Sequence, residues 1–237
     1  MIHKIVSFYQ TDLPSEIVTL QKRVFNHFGF EVEQVGWEFE KFRHTNSIQL
    51  YMDTHDDYDF ISLFDIDCIP TSKNWQQKTL DILKDENTVY GNAQASNVFP
   101  DINPYRTPPF ANGGVFNISY KVWSESPFKS IHAQLYPNPD GNMAEADGYE
   151  ALTRELEKQG RKIVLAYPIK AYADKTWKYD GSFGYPVFGY GNGTDYENDT
   201  FHNFQIRIPD KRIHFLRRCK EILNEPFNIN EYNHILK

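Results

Sequence analysis

Cysteine is nearly absent: Cys68 and Cys219 are the two in 237 residues. Their wide separation excludes a disulfide framework and the short spacings of a zinc site, so a reducing, cytoplasmic setting is expected. No apolar run approaches the roughly 20 residues that cross a bilayer, and no transmembrane segment is expected. Met1-Ile-His-Lys leads into a short β-prone run rather than the apolar stretch of a signal peptide. The sequons at Asn117, Asn192 and Asn198 are therefore expected to be incidental. Basic residues are in the minority, 25 Lys and Arg against 32 Asp and Glu, for a formal net charge of -7. With no long Lys/Arg run, nucleic acid is not the expected partner. Internal repeats and low-complexity segments are missing as well.

Aromatic residues, by contrast, are abundant: 18 Phe, 15 Tyr and 4 Trp. They can fill a core, and in loops Tyr and Trp also make platforms for sugars or bases. The length suits one substantial core, so a single domain over 1–237 with a C-terminal appendage is expected.

The most informative stretch is Phe60-Ile-Ser-Leu-Phe-Asp65-Ile-Asp67-Cys-Ile-Pro70. Its apolar run has the length of a buried strand and is too short for a core helix. On an extended backbone Asp65 and Asp67 leave the same face. Pro70 cannot continue a central strand, which places both carboxylates at the strand's C-terminal end, where open α/β sheets bind ligands. Two converging carboxylates there suit a hard divalent cation that also holds phosphate. Turn or capping carboxylates are the alternative.

The remaining chain reads as an α/β alternation. His3 to Tyr9 is a strand, Ser15 caps a helix to about Phe28 that Gly29 ends, and Glu31 to Trp37 is a second strand, giving a parallel β-α-β start. Thr45 to Met52 is read as a helix, and Asp53 to Asp59 as a solvated acidic connection. Thr71 or Ser72 caps a helix to about Lys84, Thr88 to Ala95 is a strand, and Phe99 to Pro109 is a loop. Gly113 and Gly114 are expected directly before a strand, allowing close backbone approach to something bound. Tyr136 to Asn142 reads as a loop, followed by a helix from Ala144 to Gly160 with Glu145 and Asp147 at its start, where the helix dipole favours acids. Lys162 to Tyr167 is a late strand, Trp177 to Asn203 a long aromatic loop suited to a lid, and about Asp210 to Leu223 a final helix.

In this order, the β-α-β start, the strand ending in Asp65-Ile-Asp67, the Pro-Pro-Phe-Ala-Asn-Gly-Gly-Val-Phe segment, and an acidic helix start with a downstream histidine resemble the GT-A type nucleotide-sugar glycosyltransferases. The resemblance covers most of the chain, from the first strand to His202. It implies a Rossmann-like, mixed but mainly parallel central sheet flanked by helices, with a loop-rich C-terminal acceptor and lid region. The nucleotide-donor half would be 1–110, the acceptor and lid half 111–209, and the C-terminal helix 210–237.

By the same resemblance, Asp67 binds Mn2+ or Mg2+, Asp65 contacts the donor's ribose or sugar beside the metal, and His202 completes the metal site, with His214 as the competitor. Asp147, or else Glu145, is the implied catalytic base of an inverting reaction. Phe8, Tyr9 and Gln10 are candidate contacts to base or ribose, and Gly113 and Gly114 to the donor sugar. Lys211, with Arg207 or Arg212, is a candidate for the phosphates. The acidic positions available for the base near the second strand are Glu38 and Glu40. The implied activity is transfer of a sugar from a nucleoside diphosphate sugar to a glycan or other hydroxyl acceptor, in glycan biosynthesis. Two rival readings are a sugar nucleotidyltransferase and a non-catalytic carbohydrate-binding protein. The first strand lacks the Gly-rich, basic phosphate loop of the former.

Overall fold

The computed structural model describes residues 1–38, 44–94, 109–126, 135–137, 143–145, 147–172, 177–178, 189–190 and 193–237. In chain order its first elements are β1 (His3–Gln10), α1 (Ser15–His27), β2 (Glu33–Trp37), α2 (His44–Thr54), β3 (Phe60–Asp65), β4 (Cys68–Pro70), α3 (Trp75–Leu83), β5 (Thr88–Gln94) and β6 (Phe110–Ser119). There follow α4 (Tyr120–Glu125), β7 (Leu135–Pro137), β8 (Met143–Glu145), α5 (Gly148–Lys158), β9 (Lys162–Ala166), β10 (Pro168–Ala171), β11 (Trp177–Lys178), β12 (Gly189–Tyr190), β13 (Thr194–Tyr196), β14 (Thr200–His202) and α6 (Arg212–Ile222).

The main sheet has the order β2-β1-β3-β6-β5-β9. Pairings β1–β2, β1–β3 and β5–β9 are parallel, whereas β6 runs antiparallel to both of its neighbours. The fold is thus mixed α/β, with a mainly parallel central sheet flanked by helices. Alternation along the strands explains the two covered faces. Ile5, Phe64 and Val115 pack with Phe25 of α1 and Trp75 of α3, while Val6, Phe8, Leu63 and Phe116 pack with residues of α2, α4 and α5. Strand β3 is apolar because both its faces are buried.

A second, antiparallel sheet, β10-β13-β14-β4, stands at the C-terminal end of β3. Only Ile66 and Asp67 separate β3 from β4, so the chain changes sheets within one tight turn. Pro70 ends β4, an edge strand, where its missing N–H removes no central ladder bond. The second sheet is backed by Phe215, Leu216 and Cys219 of α6 and by Ile17, Leu20 and Val24 of α1.

Several local expectations are corrected. Ser15 is the first helical residue of α1, the cap being Pro14, and its hydroxyl contacts Glu16 rather than a backbone N–H. Ser72 accepts from the Asn74 N–H in the turn before α3 and does not cap the helix itself. Glu145 lies at the end of β8, paired with Leu135, and not in the helix; α5 begins after Asp147. Residues 136–137 belong to β7 rather than to a loop. Gly113 and Gly114 lie inside β6 rather than before it, at a bulge where the register with β5 jumps from Gly91↔Phe116 to Asn92↔Asn112. The span read as one loop from 177 to 203 contains β13 and β14, each of three residues, besides the short paired strands β11 and β12. The lid residues 179–188, Glu40 and most of the 99–109 loop lie outside the described residues.

Candidate metal and nucleotide site

The strand-end carboxylates and the distant histidine meet because of the second sheet. His202, the last residue of β14, pairs with Cys68 of β4, one position beyond Asp67. Its Nε2 lies 3.2 Å from Asp67 Oδ1, and both side chains are buried. One ligand atom each from Asp65, Asp67 and His202 fall within 4.8 Å of one another. Asp65 closes β3, and Asp67 stands in the following turn.

These residues fit a divalent cation. Neighbouring ligand atoms at right angles around an octahedral ion of Mg2+ size stand about 3 Å apart, close to the separation of the histidine nitrogen from the Asp67 oxygen. Asp65 Oδ1 is buried without a hydrogen bond, although His44 Nε2 is 3.3 Å away. An oxygen so placed keeps lone pairs that a bound cation would take up. Carboxylate and imidazole donors without thiolate suit Mn2+ or Mg2+.

The electrostatics point the same way. Burial pushes the Asp65 carboxyl well above its ordinary range, and the charges of Asp67 and Asp147 push it further, with Arg207 opposing. Burial also raises the Asp147 carboxyl, against the N–H groups of Tyr149 and Glu150 that stabilise its anion. Asp147 caps α5, accepting from the Tyr149 N–H at 2.8 Å.

One cavity is lined by Phe8, Tyr9, Gln10, Leu13, Trp37, His44, Asp65, Ile66, Asp67, Ile206 and Arg207. The structure thus brings the expected Phe8, Tyr9 and Gln10 together with Asp65 and Asp67. Trp37 and His44 were not anticipated as site residues. Their rings stack at 5.6 Å, and burial pushes the His44 imidazole down to about 4, with Arg207 adding to the effect. Trp37 had a signal, since it ends a strand adjacent to β1 as Asp65 does; His44, at the start of α2, had none.

The remaining candidates do not line this cavity. A Cβ on Gly113 would come 2.3 Å from the Tyr149 ring, and one on Gly114 2.4 Å from His202 Nδ1. The close approach these glycines permit in the structure is by the protein's own side chains. Lys211 is 3.9 Å from Asp210 and does not line the cavity. Arg212 donates to the carbonyls of Ile206 and Ile235, a structural tie. His214 faces a different cleft, beside Tyr172 and Arg217. Glu38 borders a separate groove between β2 and α2.

No family model matches the chain, and no curated protein matches it. Among solved structures, a mannosyltransferase from Pyrobaculum calidifontis, in complex with GDP-Man and Mn2+, is 8% identical, covering 99% of this chain and 67% of that one at a TM-score of 0.48. A glycosyltransferase involved in glycosylation of the major capsid of PBCV-1 is 19% identical over 55% of this chain and 71% of that one, TM-score 0.34. A Bacillus anthracis protein assigned as a glucose-1-phosphate thymidylyltransferase, in complex with sucrose, is 9% identical over 94% and 77%, TM-score 0.40. Likenesses this distant carry no functional argument, which rests instead on the geometry of the site. Among the described residues no helix is long and apolar enough to cross a membrane.

Proposed function

We propose that the chain is a cytoplasmic, metal-dependent glycosyltransferase that moves a sugar from a nucleoside diphosphate sugar to a hydroxyl acceptor with inversion. The observation that supports this reading is the convergence of Asp65, Asp67 and His202 beside a cavity with aromatic walls. Asp67 and His202, with Asp65, would hold Mn2+ or Mg2+. A cation there would neutralise negative charge developing on the departing diphosphate.

Phe8, Tyr9 and Trp37 offer aromatic surface to the base, and Gln10 an amide to base or ribose. The Arg207 guanidinium, in the same wall, adds positive charge towards the phosphates. Asp147 takes the proton from the acceptor hydroxyl as it attacks; its raised proton affinity suits a base. Glu145, two residues earlier, is the alternative base. The donor half would be residues 1–110, the acceptor half 111–209, and 210–237 the C-terminal helix.

Two substitutions separate the roles. Asp67→Ala abolishes the Mn2+ dependence of UDP or GDP binding, read as the ligand-induced rise in melting temperature. Asp147→Asn keeps the helix cap, because Asn caps as well as Asp. It keeps nucleotide binding and lowers transfer by roughly 10²- to 10⁴-fold. Undiminished Mn2+-dependent binding in Asp67→Ala contradicts the assignment. Release of pyrophosphate rather than nucleoside diphosphate would point to sugar activation, and glycan binding without nucleotide to a binding protein.

A further inference from the structure

Helix α1 buries the stripe Ile17, Leu20, Gln21, Val24 and Phe25, and one member of that apolar face is a primary amide. Gln21 is fully buried. A carboxamide there loses its water and its rotamer freedom, so an apolar side chain of similar volume would be the default. Each of its polar atoms is engaged. Nε2 donates to the Asp65 carbonyl at 3.1 Å and to the Cys68 carbonyl at 3.0 Å. Oε1 accepts from Gln34 Nε2 at 3.0 Å, and Gln34 Nε2 also donates to the Val18 carbonyl at 2.8 Å. Neither amide can flip without placing oxygen against oxygen, so the orientation is determined.

The two carbonyls that Gln21 clasps belong to the residues bracketing the Ile66-Asp67 turn. Of the two carbonyls between them, that of Asp67 accepts from the Asn203 N–H at 2.8 Å, next to His202. The turn is therefore gripped from behind through its backbone, while its carboxylates and His202 converge in front. We infer that Gln21, oriented by Gln34, is a positioning residue for the metal centre: it sets the separation of the Asp65 and Asp67 carboxylates and thereby metal affinity, without touching metal or nucleotide. This inference rests on the metal-site reading above. Outer partners of metal ligands commonly change metal affinity 10- to 100-fold.

The test compares Gln21→Met, which keeps volume and removes both donors, with Val24→Ala, which thins the same buried face without a hydrogen bond to the turn. Free Mn2+ is titrated by electron paramagnetic resonance, with and without GDP or UDP, alongside melting temperature. The expected result is Mn2+ affinity at least about tenfold weaker in Gln21→Met, with Val24→Ala lowering the melting temperature and leaving affinity unchanged. Gln34→Met, which leaves Gln21 in place but unoriented, gives a smaller loss in the same direction and decides the matter should Gln21→Met fail to fold. Parent-like Mn2+ affinity in Gln21→Met, or in Gln34→Met where that variant decides, overturns the inference and leaves the metal-site reading standing. So does equal weakening in Val24→Ala. A parent protein that binds no Mn2+ overturns both.

Discussion

At residue 114 the absence of a side chain decides whether His202 can reach Asp67. A methyl group there would meet His202 Nδ1 at 2.4 Å and Asn112 Oδ1 at 2.8 Å. The Asn112 oxygen is already held by the Gly114 N–H at 2.6 Å, so it cannot yield easily. Gly114→Ala is expected to lower stability by about 1–3 kcal/mol through overpacking and to remove Mn2+-dependent nucleotide binding by displacing the imidazole. Gly160→Ala is the control. That residue has φ +77° with open space around it, so its replacement strains the backbone and leaves nucleotide binding intact. Thermal melts and nucleotide titrations of the two variants check the contrast. Residue scale also explains two sequons: Asn117 and Asn198 are buried in the fold, their amides bonded to the Tyr90 carbonyl and to Asn92.

Among the elements, the β13–β14 hairpin was the hardest to read in the sequence, although it carries His202. Each strand has three residues, below the length at which alternation becomes visible. Its composition of Thr, Asn and Asp is that of a loop. What makes it ordered is a buried polar cluster with β5: Asn198 donates to Asn92 at 2.9 Å, and Thr200 donates to Asn198 at 2.7 Å. Partners more than 100 residues apart leave no local trace. Strand β3 was legible for the opposite reason, since burial on both faces writes a continuous apolar run into the chain. Helix α5 was legible from Leu152, Leu156 and the Gly160 stop, while its start was read four residues early because acidic residues before a helix resemble those inside its first turn. Asp65 and Asp67 were named from the strand end and their spacing, and His202 only through the family resemblance; the convergence of the three depended on the second sheet, which the sequence did not disclose. Gln21 went unread, because one amide on an amphipathic helix looks like a solvated position.

On the scale of the whole molecule, a proton-ordered chain crosses the main sheet far from the site. Gln76 Nε2 lies 3.1 Å from His3 Nδ1, His3 Nε2 lies 2.7 Å from Ser62 Oγ, and Ser62 donates to Asn117 at 2.5 Å, which donates to the Tyr90 carbonyl. With Ser62 donating onward, Nε2 of His3 must donate and Nδ1 must accept. A second ring proton would face the Gln76 amide donor. Burial moreover pushes the His3 imidazole down to about 4. In the unfolded chain it titrates near 6.5. Its contribution is therefore complete above that value and is lost as the pH falls towards 4, where the folded protein also takes up the proton. His3→Gln is expected to flatten the decline of stability over this window, by of order 1–3 kcal/mol, measured by urea unfolding at pH 7 and pH 4.5. An unchanged decline would contradict the role given to His3.

The main sheet's parallel β-α-β beginning could be read from alternation and helix stops, whereas the antiparallel entry of β6 could not, since nothing local to Phe110–Ser119 sets its direction. The site depends on both: β6 supplies Gly114 beneath His202, and β3 with the turn that follows it supplies the carboxylates. The most direct measurement of the whole account is anomalous X-ray scattering at the manganese edge from crystals grown with Mn2+ and a nucleoside diphosphate. The account predicts a peak in contact with Asp67 and His202, with the diphosphate beside it and the base against the Phe8 and Trp37 wall. A peak elsewhere, or nucleotide bound with these side chains untouched, would contradict it.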